Sequence, residues 1–328
     1  MITDSIEISV KGKAVRAPAM TVNGHSMVVS GKWIKMAAVH DESYLEGGLV
    51  ADPEAIISRL KEWETNPDIF RFEQLITDGT PRFTYPMEMD NAAVIPITTY
   101  KDWWDGRLPQ ESRRNVRLAA KRGVVVKVCK YDDEFIRGIK GIYDETPVRQ
   151  GRRFWHYGKD IKTVGKENGT YAERCEFIGA YLNETLIGFL KFVYVGKIAS
   201  VMQILSMNQH YDKRPANAML AKAVEICEQK GMTYLAYCRY IYNGNADSPL
   251  TEFKRRNGFE RLDFPVYHVP LTWKGRLAIK LGLHHGLREA LPDQMLRPLL
   301  GLRARALDFM NRRQLLSRPE AKPVKGQV

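Results

Sequence analysis

The 328-residue chain has four cysteines, Cys129, Cys175, Cys227 and Cys238, and none stands in a C-x-x-C pair beside histidines. That excludes the sequence signatures of a structural zinc site and of a disulfide framework. No metal is expected, and all four cysteines are read as small buried apolar residues. Also missing is any apolar run near the ~20 residues that a membrane-spanning helix requires. The N-terminus, "MITDSIEISVKGKAV", lacks an apolar stretch followed by a small-residue cleavage site, so the protein is expected to stay in the cytoplasm. No internal repeat or low-complexity run is present, and only the polar end "SRPEAKPVKGQV" is expected to be disordered. A Ser-His-Asp or Cys-His nucleophile signature is likewise absent.

What is present is the balance of a globular protein, 44% hydrophobic and 27% charged, in a length that suits one large or two closely packed domains. The net charge of +12 is uneven, because residues 273–328 hold 12 Lys+Arg against 4 Asp+Glu. The excess therefore belongs to a basic amphipathic C-terminal segment, with Leu299, Leu302, Leu307 and Met310 among arginines. Such a segment suits an anionic membrane face, reached through 273–316, or a helix packed on the protein's own body.

Residues 1–105 read as a mixed α/β region with strand-like "HSMVVSGKWIKMAAV", "DIFRFEQ" and "AAVIPI" around a helix "DPEAIISRLKEWE". Beyond Gln110 the pattern is sharper. "QESRRNVRLAAKRG" is a helix stopped by glycine, "VVVKVCK" a strand, and "DDEFIRGIKGIYDET" a second helix with Phe135, Ile136, Ile139 and Ile142 on one face. "CEFIGAYLNETLIGFLKFVYVGKIASVMQILSM" is a three-stranded meander whose turns are "NET" and "GK". After it come the helix "PANAMLAKAVEICEQKG", the strand "MTYLAYCRYIY", the helix "SPLTEFKRRNG" and the strand "FERLDFPVYHVPL".

Between the second helix and the meander lies "TPVRQGRRFWHYGKD", which fits neither helical nor strand periodicity. It concentrates Arg149, Arg152, Arg153, Lys159, Trp155, His156 and Tyr157 on what reads as a loop. Guanidinium forks suit phosphate or carboxylate, and aromatic faces suit a sugar or base. The structural alternative is a loop pinned to its own acidic residues, Asp144 and Glu145 among them.

The order of elements over 106–272, with "RRNVRLAAKRGV", "GAYLNETLIGFLKFVY", "HYDKRPANAMLAKAVEICEQKGM" and "EFKRRNGFERLDF", resembles the GNAT acyltransferase fold, in its Fem-type and BioF2-like branch. The resemblance implies a mixed, mostly antiparallel sheet flanked by helices, with 1–105 as a reduced first copy and 273–328 as an appended tail. It implies an N-acyltransferase moving an acyl or aminoacyl group to an amine of a cell-envelope or polysaccharide precursor. An acetyl-CoA-dependent N-acetyltransferase and a non-catalytic module binding tRNA or anionic membrane are the alternatives.

The same resemblance sets the site expectations. The arginine loop borders the acceptor cleft, so Arg149, Arg152, Arg153, Trp155 and Lys159 are expected to bind acceptor. His156, Tyr157 and Tyr240 are the candidates for proton transfer, since the usual tyrosine position holds Phe253. Gln203, Lys213, Arg214 and Asn217 are expected on the donor side. The donor is acyl-CoA or aminoacyl-tRNA: where acetyl-CoA users carry a glycine-rich loop, this chain has "RPANAM", and Pro215 has no amide to offer a diphosphate. Fem-type proteins, which take their acyl group from aminoacyl-tRNA, also lack those glycines.

Overall fold

The computed structural model describes residues 4–10, 13–45, 52–149, 151–242 and 244–285. The N-terminal part supplies β1 (Asp4–Val10), β2 (Lys13–Val22), β3 (His25–Ser30), β4 (Met36–Val39), helix α1 (Pro53–Lys61), β5 (Ile69–Glu73) and β6 (Met87–Pro96). α1 starts where the Asp52 side chain accepts from the Ala55 amide and Pro53 takes the first turn, a position that needs no N–H. Then follow α2 (Tyr100–Asp102), α3 (Gln110–Lys121), β7 (Val125–Cys129), α4 (Asp133–Tyr143), the short strands β8 (Val148–Arg149) and β9 (Arg152–Arg153), and α5 (Ile161–Asn168). The last group is β10 (Cys175–Leu182), β11 (Thr185–Val195), β12 (Ile198–Ser206), α6 (Pro215–Gln229), β13 (Tyr234–Ala236), α7 (Pro249–Arg256), β14 (Glu260–Pro270) and α8 (Trp273–Lys280).

Twelve strands form one sheet in the order β1-β2-β3-β4-β5-β14-β6-β13-β12-β11-β10-β7. The connectivity repeats. β2, β3 and β4 form an antiparallel meander, α1 crosses over, and β5 returns parallel to β4. β10, β11 and β12 form a second meander, α6 crosses over, and β13 returns parallel to β12. β14 then inserts between β5 and β6, antiparallel to both, and welds the two halves.

Three apolar clusters follow from this. The largest packs α3, α4 and α6 against the second meander, around Ile139, Ile142, Phe189, Leu220 and Val224. A second joins Leu60 and Trp63 at α1 to Phe70, Phe72 and Tyr267. A small third one, with Ala92, Ile198, Ala236 and Phe264, marks the seam between the halves.

Two expectations are corrected. Only Cys227 is buried; Cys129 and Cys175 are half-buried, and Cys238, at a left-handed φ of 47° just past β13, is exposed. The arginine-rich stretch is not irregular throughout. β8 and β9 pair as a small hairpin about Gly151, whose φ of 71° suits glycine. Among the described residues no helix is long and apolar enough to cross a membrane. The amphipathic tail expected over 273–328 is described only as far as α8 and a short turn at Leu283–His285; Leu299, Leu302, Leu307 and Met310 lie outside the described residues.

Candidate active site

β12 and β13 pair in parallel over only three residues, Ile198–Ser200 against Tyr234–Ala236. Beyond that point the strands part. The next position on β12 but one, Met202, is a bulge: Lys191 of β11 faces Gln203 while Phe192 faces Val201. A bulge leaves its extra residue unpaired and bends the strand. The bulge lies in the β11 ladder and bends β12 where it parts from β13.

On one side of this opening is a cavity of about 650 Å³. Its floor is apolar, with Ile198, Ala236, Ala92 and Phe264, and its polar groups converge from Glu42, Glu73, Asp90, Arg239 and Ser200. A concave, mainly apolar space with few directed polar groups is the usual form of a small-molecule site. Glu42 stands out among the polar groups. Its Oε1 accepts from the Glu73 amide at 2.8 Å, its Oε2 has no hydrogen-bond partner, and Arg71 Nη1 lies 3.7 Å from that oxygen. Burial, followed by repulsion from Glu73, raises its pKa from 4.5 to about 8. A carboxyl so placed exchanges its proton near neutrality. Across the cavity Asp90 pairs with Arg239 at 2.6 Å. Next to it the wholly buried Lys254 donates to the Arg239 carbonyl, and its amine lies 4.9 Å from the Tyr242 ring centre.

Along β12, the side chains of Ile198, Ser200 and, past the bulge, Gln203 share one face, set by their partners Val195, Val193 and Lys191. Gln203 therefore lies on the same face as the cavity, roughly 10 Å further at ~3.3 Å per residue. There it joins a buried polar network. Tyr143 of α4 donates to Gln203 Oε1 at 2.9 Å, and Gln203 Nε2 lies 3.3 Å from His156 Nε2. The imidazole is sandwiched between Tyr143 at 4.2 Å and Trp155 at 3.8 Å. Burial, then the charges of Lys159 and Arg149, lower its pKa to about 3.

The structure thus unites His156, expected in proton transfer, with Gln203, expected on the donor side. It also changes their parts. An imidazole with Nε2 engaged and so low a pKa is poorly matched to taking a proton at neutral pH, and it packs the base of the hairpin instead. Arg149 is likewise committed to its own protein. Its guanidinium pairs with Glu145 at 3.0 Å and donates to the carbonyls of Ser206 and Ile142 at 2.8 and 3.1 Å. Lys159 is held by Glu167 at 2.6 Å and lies over Trp155. The exposed members are Arg153, Trp155 and Tyr157, the two rings about half accessible at 50% and 47%; the side chain of Arg152 lies outside the described residues.

On the expected donor side, Lys213 sits 3.4 Å from Asp212, and Arg214 enters α6 at a left-handed φ of 57° without capping it. Asn217 turns away to donate to Asn257 Oδ1 at 2.8 Å. Glu145 has a second task here, accepting from the amides of Asn208 and Gln209 at 2.7 and 2.9 Å. Two backbone donors at the end of β12 are therefore satisfied from within. Tyr240 is half-buried, and its carbonyl accepts from Thr251.

Sequence reasoning missed Glu42, Asp90, Arg239 and Lys254. Glu42 stands in the short turn Glu42–Tyr44, and no local signal distinguishes it from the many acidic residues on loops. It matters only because β5 and the cavity lie beside it.

Neither a protein-family model nor a curated protein matches the sequence. Solved structures do match the fold. The crystal structure of FemX matches with a TM-score of 0.53 at 12% identity, covering 85% of this chain and 90% of that one. L-PGS from Bacillus licheniformis matches with a TM-score of 0.55 at 12% identity over 81% and 87% of the two chains. The C-terminal DUF2156 domain of an Agrobacterium fabrum protein, assigned as a lysylphosphatidylglycerol synthetase, matches with a TM-score of 0.54 at 11% identity over 80% and 87%. At such identities the likeness concerns the fold alone: over most of its length this chain has the fold of FemX and of L-PGS, in keeping with the GNAT acyltransferase fold that its sequence resembles.

Proposed function

We propose that the protein is an acyltransferase that moves an acyl or aminoacyl group onto an amine, with the amine seated in the 650 Å³ cavity and Glu42 as its base. The observation that carries this reading is the Glu42 carboxyl: it lines the cavity, its Oε2 accepts no hydrogen bond and has only the Arg71 guanidinium at 3.7 Å, and burial raises its pKa to about 8. In the step envisaged, the amine nitrogen attacks the acyl carbonyl, a C–N bond forms as the bond to the leaving oxygen or sulfur breaks, and Glu42 takes the proton shed by nitrogen. The leaving atom is protonated in turn, a task for which Tyr240 is the expected donor. The parting of β12 from β13 would supply a slot for the acyl carbonyl.

The donor favoured is aminoacyl-tRNA, which the Fem-type resemblance implies. Acyl-CoA is disfavoured because Pro215 opens α6 without an amide, Arg214 leaves it uncapped, and Glu145 already fills the donors of Asn208 and Gln209. A diphosphate would have to displace an internal carboxylate. The acceptor class, an amine of a cell-envelope or polysaccharide precursor, rests on the resemblance. The exposed Arg153, Trp155 and Tyr157 would cover its anionic or sugar part, and the basic C-terminal segment would hold an anionic membrane face or tRNA.

A donor panel of acetyl-CoA, a long-chain acyl-CoA and labelled aminoacyl-tRNA, each incubated with a mixture of amine acceptors, tests the proposal. Label should leave the tRNA and enter an amine product with the wild type, and stop doing so with Glu42→Gln. Tight acetyl-CoA binding with turnover would replace this donor by acetyl-CoA. Binding of tRNA without any turnover would make the chain a non-catalytic module.

A further inference from the structure

Beside the cavity, where Glu88 stands two residues along β6 from Asp90 and His268 of β14 lies across from Arg71, the fold gathers histidines that are apart in the sequence. His284 and His285, in the short turn after α8, both reach one oxygen of Glu88 on β6, with Nε2 to Oε1 distances of 3.0 and 2.9 Å. The potential ligand atoms of these three residues all lie within 4.8 Å of one another. Behind them His268 of β14 is buried, at 6% exposure, and its ring meets that of His284 edge-on with centroids 4.6 Å apart. The Nδ1 atoms of both His268 and His284 are buried with no hydrogen-bond partner.

We propose that Glu88, His284 and His285 form a transition-metal site of the zinc class, backed by His268. The spacing fits. Ligand atoms bound to tetrahedral zinc at ~2.0–2.2 Å stand about 3.3 Å apart, close to the oxygen-to-nitrogen separations here, so entry requires a modest fanning of the two rings. Two imidazoles and a carboxylate suit zinc, copper or nickel rather than calcium or magnesium, which favour oxygen-rich sets. Water completes the fourth position.

The two orphaned nitrogens also point to a metal. Buried polar atoms in folded proteins are nearly always paired, yet Nδ1 of His284 and Nδ1 of His268 both lack a partner on rings in contact. A metal on Nε2 moves the His284 proton to Nδ1. That gives His284 a donor next to the buried His268 ring, the kind of arrangement by which an outer partner fixes the tautomer of a metal-bound imidazole. The site would fasten residues 283–285 to the sheet and so set where the basic C-terminal segment departs.

The test uses the full chain freed of metal and titrated with zinc chloride by calorimetry, with cobalt(II) absorption as a second readout. One zinc per chain is expected, undisplaced by excess magnesium, with a tetrahedral cobalt spectrum. Loss of an outer partner costs ~10–100-fold in affinity; His268→Phe should fall in that range, and Glu88→Gln and His285→Ala should weaken binding more. His25→Ala, at a remote strand, should bind as the wild type. Circular dichroism melts without metal confirm that each variant folds. Folded wild type that takes up no zinc at micromolar concentration overturns the proposal, as does stoichiometric binding that survives in both Glu88→Gln and His285→Ala.

Discussion

Replacing Glu42 by glutamine separates a catalytic carboxyl from a merely buried one. The side chain keeps its shape, and its Oε1 still accepts from the Glu73 amide, so packing is preserved. In the wild type, burial and Glu73 raise the pKa from 4.5 to about 8. At pH 7 roughly one molecule in ten then carries the ionised base, and the transfer rate should climb about tenfold per pH unit below 8 and level off above it. A positioned base contributes ~10²–10⁴-fold, so Glu42→Gln should lower kcat by that much and flatten the profile. Stability should move the other way. As pH rises from about 4.5 to about 8, the unfolded chain gives up this proton while the folded one keeps it. The unfolded state then binds fewer protons, and the wild type loses stability across that window. Glu42→Gln removes the penalty: thermal melts should match the wild type near pH 4 and exceed it at pH 8. A variant with wild-type kcat and an unchanged acid limb refutes the base assignment; one whose melting advantage does not grow with pH refutes the burial argument beneath it.

Two further substitutions probe the frame around the site. Arg149→Ala breaks a pair whose side chains are only 9% and 12% exposed and strands Glu145, which should cost about 3–5 kcal/mol in denaturant unfolding while the acceptor KM of the folded fraction stays unchanged; an unaltered melt with a raised KM would return Arg149 to the acceptor site. Gly275→Ala drives a methyl into the Asp68 carbonyl at the start of α8, where Asp68 also holds the Thr272 hydroxyl and the Lys35 amide at 2.8 and 2.9 Å; urea unfolding should show a loss of ~1–3 kcal/mol with kcat intact, and a neutral result would mean that α8 shifts freely.

The elements were legible where local chemistry decides them. Pro215 and the apolar spacing of Leu220, Val224 and Cys227 announce α6, Asp132 caps α4, and Asn183 and Glu184 with positive φ make the turn that the alternation on either side requires. These are short-range effects of backbone sterics and periodic burial, so the second meander and its crossover helix could be read directly, while the fold came from the resemblance of that order to GNAT acyltransferases. Strands β1 and β2 could not, since their pairing is mutual and little of β1 is buried.

The site was a different matter. For "RQGRRFWHYGK" the alternative of a loop pinned by its own Glu145 holds at Arg149, but nothing local announced Ser206 and Gln203, which reach Arg149 and His156 from β12 and turn exposed chemistry into buried structure. Glu42 became a candidate base only when the insertion of β14 between β5 and β6 closed a cavity around it. His284 and His285 acquired Glu88 from 196 residues away in the same manner. A pKa or a ligand set depends on desolvation and on charges that strand order brings within a few ångströms, and that distance is a property of the tertiary structure alone.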